Sequence, residues 1–207
     1  MIGILGGSFN PVHNGHLRSA MELIEELNLR ALYLVPTALP AHREQPEISD
    51  SQRLSMLGLA IAGDPRFIID DREFHRKGPS YSLDTVKSFR EQSGADLPLC
   101  FALGMDAFAE FHTWHRWQEI LNYAHLVVMH RPGWDPQAYR DNLPQELQSL
   151  VATHLVDDVR ALRDQASGRI LMQAVTQLAI SSSQIRDLSA ANRSLRYLVP
   201  EAVQIYI

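Results

Sequence analysis

Two histidines three residues apart, His13 and His16, sit in the segment Gly6–His16, GGSFNPVHNGH. At i,i+3 across a helix start, both side chains can face one point in space. Gly15, between them, leaves that point free of a Cβ. Ile2–Leu5 upstream is a short apolar run that reads as a buried strand. Downstream, Leu17, Ala20, Met21, Ile24 and Leu27 recur at helical spacing. The segment is therefore a strand-to-helix turn that brings backbone N–H groups and imidazole donors to a helix N-terminus, a natural site for phosphate. Gly6, Gly7, Ser8, Phe9, Asn10, His13 and His16 are its candidate nucleotide-binding residues. Zinc is the competing use, but two histidines leave a four-coordinate shell short, and no cysteine or carboxylate lies at metal-motif spacing. The bland alternative is a pair of surface histidines beside a loop.

A second constellation, Ile180–Arg186, reads ISSSQIR. Three serines ahead of a helix supply N-cap hydroxyls and exposed N–H groups. Arg186, one turn in, adds a cation able to grip a phosphate oxygen pair. Alone, this is an ordinary capped helix. Other phosphate loops are absent: there is no GxxxxGK[S/T] stretch, and Gly3, Gly6 and Gly7 do not make a GxGxxG.

The elements that must position these residues follow from periodicity. Strands are predicted at Ile2–Leu5, Ala31–Val35, Phe67–Ile69, Leu99–Leu103, His125–Met129 and Ile170–Ala174. Helices are predicted after His16, after the Ser49/Gln52 capping box, over Ser82–Gln92, Trp114–Leu121, Gln145–Thr153 and Ser181–Leu188. Pro200 fits the first position of a last helix. This alternation predicts an α/β fold, a Rossmann-like, doubly wound and mostly parallel sheet with helices on both faces, with a small C-terminal helical part. Ligands in such sheets bind beyond the carboxyl ends of the strands, so polar residues near Gly6, Pro36, Gly104 and Arg131 should converge on one rim. The segment from Pro132 to Gly168 has no long clean period.

The chain has 207 residues, enough for one domain with a real core; 45% are hydrophobic and 21% charged, and the net charge is −5. That balance gives no footprint for wrapping nucleic acid. Cys100, the single cysteine, lies in the apolar run Leu99–Leu103 and reads as a buried, inert thiol. Met1 leads straight into a strand, and no apolar run reaches the ~20 residues that cross a bilayer. A cytoplasmic protein with no membrane partner is expected.

Taken together and in this order, GGSFNPVHNGH and ISSSQIR resemble the paired HxGH and ISSTxxR signatures of the nucleotidyltransferase superfamily. Leu39–Arg43 (LPAHR), Arg53, Gly78–Thr85 (GPSYSLDT), Leu103–Asp106 (LGMD), Thr113–Trp117 (TWHRW) and Arg131–Gly133 (RPG) narrow the resemblance to bacterial nicotinate-mononucleotide adenylyltransferases. The likeness runs end to end and is weakest over residues 134–168. Asn10 stands where aspartate is frequent, Ala41 where proline is common, and Ser183 where threonine is usual. The serine keeps the hydroxyl; the asparagine removes a charge, which argues against Asn10 as an essential base or metal ligand.

The resemblance implies a single nucleotidyltransferase domain over residues 1–207, with the segment from about 180 to 207 packed on it. It implies adenylyl transfer from ATP to nicotinate mononucleotide, with Mg2+ arriving on ATP and no dedicated protein metal site. Catalysis would fall to His13, His16 and Arg186. ATP would be held by the loop together with Gly104, Asp106, Ile180, Ser181 and Ser183. His42, Arg43, Tyr81, Ser82, Leu83, Trp114 and Arg131 would meet the acceptor, with Trp114 stacked on the pyridine ring. Two alternatives stay open: an adenylyltransferase for another acceptor, nicotinamide mononucleotide or pantetheine phosphate, and a nucleotide-binding regulator without turnover. The oligomeric state, monomer or homodimer, is not readable from the sequence.

Overall fold

The computed structural model describes residues 1–39, 48–133, 139 and 141–207. Among them, seven strands form one sheet: β1 (Ile2–Gly7), β2 (Leu32–Pro36), β3 (Phe67–Ile69), β4 (Leu99–Gly104), β5 (His125–His130), β6 (Leu155–Val156) and β7 (Ile170–Ala174). Their order is β3-β2-β1-β4-β5-β7-β6, and every pairing is parallel. The helices are α1 (Asn14–Glu26), α2 (Asp50–Ile61), α3 (Ser82–Ser93), α4 (Met105–Ala109), α5 (Gln145–His154), α6 (Ser182–Ala190) and α7 (Glu201–Tyr206). The predicted doubly wound α/β fold is the observed one.

Strand alternation divides the interior in two. Ile2, Ile4, Leu99, Phe101, Leu103, Leu126 and Val128 face a core shared with Val86 and Phe89 of α3 and with Phe108, Phe111 and Ile120. Leu5, Cys100, Ala102, Val127 and Met129 face the other core, closed by Leu23 and Ile24 of α1, Leu57 of α2, Ile185 of α6 and Val203 of α7. Two buried faces explain why these strands read as continuous apolar runs rather than as alternating ones.

Burial pushes the Cys100 thiol up to about 12. Iodoacetamide at pH 8 is therefore expected to leave Cys100 unmodified in the native protein and to alkylate it in urea. Stoichiometric labelling of the folded protein within minutes, read by intact mass, would contradict this.

Two expectations need correction, and one strand was not anticipated. Trp114–Leu121 is not an α-helix: Arg116 takes a left-handed conformation (φ 50°), so a 3-10 helix runs only over Trp117–Asn122 and Trp114 is left in extended backbone. Pro200 is the N-cap rather than the first helical residue, because its ψ of 147° is extended and the helix starts at Glu201. The two-residue β6 carries no detectable period, yet it pairs with β7 at the sheet edge.

Candidate active site

The chain winds outward from the middle of the sheet in both directions, so β1 is flanked by β2 on one side and β4 on the other. The crevice at this reversal opens beyond the carboxyl ends of the strands, where ligands bind in such sheets. A cleft of about 410 Å³ lies there. Gly6, Gly7, Ser8 and His16 line it, together with Tyr81, Ser82, Leu83, Gly104 and Trp114. A Cβ built on Gly104 would meet nothing within 4 Å, so packing leaves this wall open to close approach.

His13 and His16 form an unusual capping box. His13 is the N-cap of α1, and its Nδ1 accepts the His16 N–H at 3.3 Å; the His16 Nδ1 accepts the His13 N–H at 3.3 Å. The rings stack with centroids 3.6 Å apart. Because each Nδ1 accepts, each ring carries its proton on Nε2, and the pair presents two N–H donors. Gly15 is required here: a Cβ would come 3.0 Å from the His13 Nδ1 and 3.6 Å from the Ile180 carbonyl oxygen.

Burial pushes the His13 imidazole down to about 4. It takes His16 to about 3, helped by the neighbouring His13. Both rings are therefore neutral donors at neutral pH. Their lone pairs are spent on backbone N–H groups, so neither fits a metal ion, and no cluster of three or more metal-ligating side chains occurs among the described residues.

The sign of the pH effect follows. An unfolded histidine titrates near 6.5, so as pH falls below that value the unfolded chain takes up protons that the folded rings refuse. Stability should fall between about pH 6.5 and 4, by on the order of 2–3 kcal/mol for His13 alone. Urea midpoints should drop across this range. Imidazole nitrogen shifts in the free protein should report two neutral rings protonated on Nε2 at pH 6, and a protonated ring there would refute the assignment.

The loop carrying this pair is held from below. Phe9 is buried in a left-handed conformation (φ 44°) and meets His16 edge-on at 5.2 Å. Gly7 accommodates the Phe9 ring, which a Cβ would approach to 3.2 Å. Arg53 is fully buried: Nη1 donates to the carbonyl oxygens of Ser8 (2.9 Å) and Thr37 (2.7 Å), and Nη2 to Asp50 (2.6 Å). Its guanidinium also lies 5.0 Å from the Phe74 ring centroid. Arg53 thus ties the end of β1 to the end of β2. The sequence signal for this is a cation in register with Met56 and Leu57 on the apolar face of α2.

The ISSSQIR segment reaches the loop from the far end of the chain. Arg186 Nη1 donates to the Asn10 carbonyl oxygen (2.8 Å) and Nη2 to the Ser183 hydroxyl (3.3 Å). The Ser181 hydroxyl caps α6 through the Gln184 N–H (3.1 Å). Ser182, which the sequence reading did not single out, donates to the Pro11 carbonyl oxygen at 2.9 Å. Asn14 ties the loop to the C-terminal turn as well, through the Tyr197 and Leu198 carbonyl oxygens. Asn10 is buried, and its side-chain oxygen has no hydrogen-bond partner among the described residues.

Tyr81 is the N-cap of α3 but supplies no side-chain cap, so Ser82 and Leu83 bring an uncapped helix start to the cleft. Trp114 is held edge-on by Phe101 and Phe111. His115 stacks on Tyr81 with centroids 4.3 Å apart and lines the cleft. His125 is fully enclosed. Glu73 and Thr85 also line the cleft and were not anticipated.

Not every expected residue converges. Asp106 is exposed in the first turn of α4, whose N-cap is Gly104. Arg131 is exposed and donates to Gln177 (3.2 Å), away from the cleft lining, so the fourth strand end contributes Met129 instead. His42 and Arg43 fall outside the described residues.

A parallel sheet with a phosphate-suited loop at its reversal and a helix docked on it defines a nucleotidyltransferase-type protein. The model of the Cytidylyltransferase-like family matches residues 4–188. Relatives matching the whole chain are named "Probable nicotinate-nucleotide adenylyltransferase". The one from Marinomonas sp. strain MWYL1 is 43% identical over 100% of this chain and 91% of its own length. The one from Pseudomonas aeruginosa strain UCBPP-PA14 is 45% identical over 100% and 94%. The chain belongs to the nicotinate-nucleotide adenylyltransferase family. Its fold is also that of a Plasmodium falciparum nicotinic acid mononucleotide adenylyltransferase solved with NaAD, with TM-score 0.71 and 16% identity over 100% of this chain and 93% of that one. No helix among the described residues is long and apolar enough to cross a membrane.

Proposed function

We propose that the protein transfers the adenylyl group of ATP to nicotinate mononucleotide, releasing pyrophosphate and forming nicotinate adenine dinucleotide. The observation that carries this reading is the docking of Arg186 on the Asn10 carbonyl, which brings the ISSSQIR segment against the loop whose residues Gly6–Ser8 and His16 line the cleft. In the reaction, a phosphate oxygen of the mononucleotide attacks the α-phosphorus of ATP, an O–P bond forms, and the bond to the departing pyrophosphate breaks. The attacking oxygen is already ionised, so no general base is needed, and positioning with charge stabilisation supplies the catalysis.

The Nε2–H groups of His13 and His16 and the Arg186 guanidinium would donate to the phosphate oxygens. Ser181 and Ser183 would complete that side, beside the N–H groups of the Gly6–Asn10 loop, and Ile180 borders it. Gly104 and Asp106 would hold the adenylate ribose. Mg2+ arriving with ATP is the proposed cofactor and would supply charge neutralisation for the departing pyrophosphate. Its ligands would come from the nucleotide, because the two histidines have no lone pair to offer. Trp114 would stack on the pyridine ring, His42 and Arg43 would meet the acceptor phosphate, and Arg131 would serve the acceptor side from outside the cleft lining.

Acid over amide follows from the uncapped start of α3 at Ser82 and Leu83, where a carboxylate is favoured over a neutral carboxamide. Pyrophosphate release should show kcat/KM for the acid mononucleotide about tenfold or more above the amide, the scale of one charge-assisted contact. Absence of pyrophosphate with either substrate would refute the assignment. Tight ATP binding without product would favour the regulator instead.

A further inference from the structure

The cleft contains one buried carboxylate that adenylyl transfer does not require. Glu73 is 7% exposed and lines the cleft alongside Thr85, Tyr81 and Ser82. Its Oε1 accepts the Thr85 hydroxyl at 2.7 Å. The orientation of that bond is fixed, because Thr85 also meets Arg76 Nη1 at 2.9 Å and a guanidinium can only donate. The single hydroxyl proton of Thr85 therefore goes to Glu73. Arg76 is anchored in turn on the Asp84 carbonyl oxygen (3.1 Å). The Glu73 Oε2, by contrast, is buried with no hydrogen-bond partner among the described residues.

An unpaired carboxylate oxygen inside a site costs stability unless a donor arrives. Chemistry limits what that donor can be. The phosphates of either substrate and the ring carboxylate of the acid mononucleotide repel a carboxylate. The remaining donors on the acceptor are its ribose hydroxyls. Glu73 is bonded to Thr85 in the first turn of α3, the helix whose start at Ser82 and Leu83 is assigned above to the acceptor, and this puts it on the acceptor's part of the cleft.

We propose that Glu73 is a specificity residue for the acceptor, its Oε2 accepting a hydrogen bond from a ribose hydroxyl. Thr85 and Arg76 position it. This rests on the adenylyl-transfer reading above. It accounts for a carboxylate in a cleft built for anions: the group meets a hydroxyl instead of binding metal or taking a proton.

The test compares pyrophosphate release from nicotinate mononucleotide and from its 2′-deoxy and 3′-deoxy analogues, using wild type, Glu73→Leu and Glu73→Gln. Wild type should lose on the order of ten- to a hundredfold in kcat/KM with one of the two analogues, the size of a hydrogen bond to a charged acceptor. Glu73→Leu should lose a similar factor with the intact nucleotide and show no further loss with that analogue. KM for ATP should stay within about twofold, since the contact lies on the acceptor. Glu73→Gln keeps the shape and an acceptor oxygen, so it should discriminate between the nucleotides less than wild type; it decides the matter if the leucine variant does not fold. Undiminished discrimination in a folded variant, or a loss falling on ATP, overturns the proposal. Wild type that discriminates against neither analogue would mean that Oε2 meets water only, and would overturn it too. No turnover with the intact nucleotide would show that the underlying adenylyl-transfer reading has failed.

Discussion

His16→Ala is expected to lower kcat/KM for adenylyl transfer by about 10²–10³-fold, the cost of deleting one preorganised donor to developing negative charge. The substitution removes the Nε2–H and also the Nδ1 that accepts the His13 N–H, so catalysis and capping fall together. His16→Gln separates them. Glutamine at this third helical position is an established capping-box partner and can accept the His13 N–H, but its amide N–H is a rotating donor in place of a ring N–H held by stacking on His13. The glutamine variant should regain most of the lost thermal stability, about 1 kcal/mol, with activity still far below wild type. Activity that returns along with stability would mean that His16 only shapes the loop.

Arg186→Met should have the second largest effect, about 10²-fold in kcat, together with a loss of about 1–2 kcal/mol of stability. Two of its donors are engaged, by the Asn10 carbonyl and the Ser183 hydroxyl, and the guanidinium has further N–H groups for phosphate oxygens. Lysine at this position keeps the charge but cannot bridge the carbonyl and a phosphate at once, so Arg186→Lys should remain about tenfold down. Steady-state kinetics with ATP varied would read both. A lysine variant within twofold of wild type would show that charge alone suffices and that the fork geometry is idle.

The legible parts of the fold were those with a local physical signature. β1, β4 and β5 are apolar runs because both faces of a parallel sheet are covered, and α2 announces itself by the Ser49/Gln52 capping box that the structure contains. The 3-10 helix after Arg116 was not legible: its apolar residues recur at near-helical spacing, while the left-handed turn at Arg116 is set by how that loop packs. β6 is too short for any period, and only its partner β7 defines it. The candidate site divides in the same way. Residue types at Gly6–His16 and Ile180–Arg186 announced phosphate chemistry, whereas Glu73 carries no motif of its own and the tie that Arg53 makes between Ser8 and Thr37 is set by packing.

The sequence by itself determined the kind of chemistry this protein does: glycines, imidazoles, serine hydroxyls and a guanidinium at fixed spacings suit phosphate, and those properties are local. Tertiary structure decided the state of those groups. Mutual capping leaves His13 and His16 with Nε2–H donors, and burial keeps them neutral. Docking of α6 brings Arg186 to the Asn10 carbonyl from 176 residues away. The physical reason is that protonation, tautomer and proximity depend on burial and on partners distant in the chain, which no local pattern of residues contains.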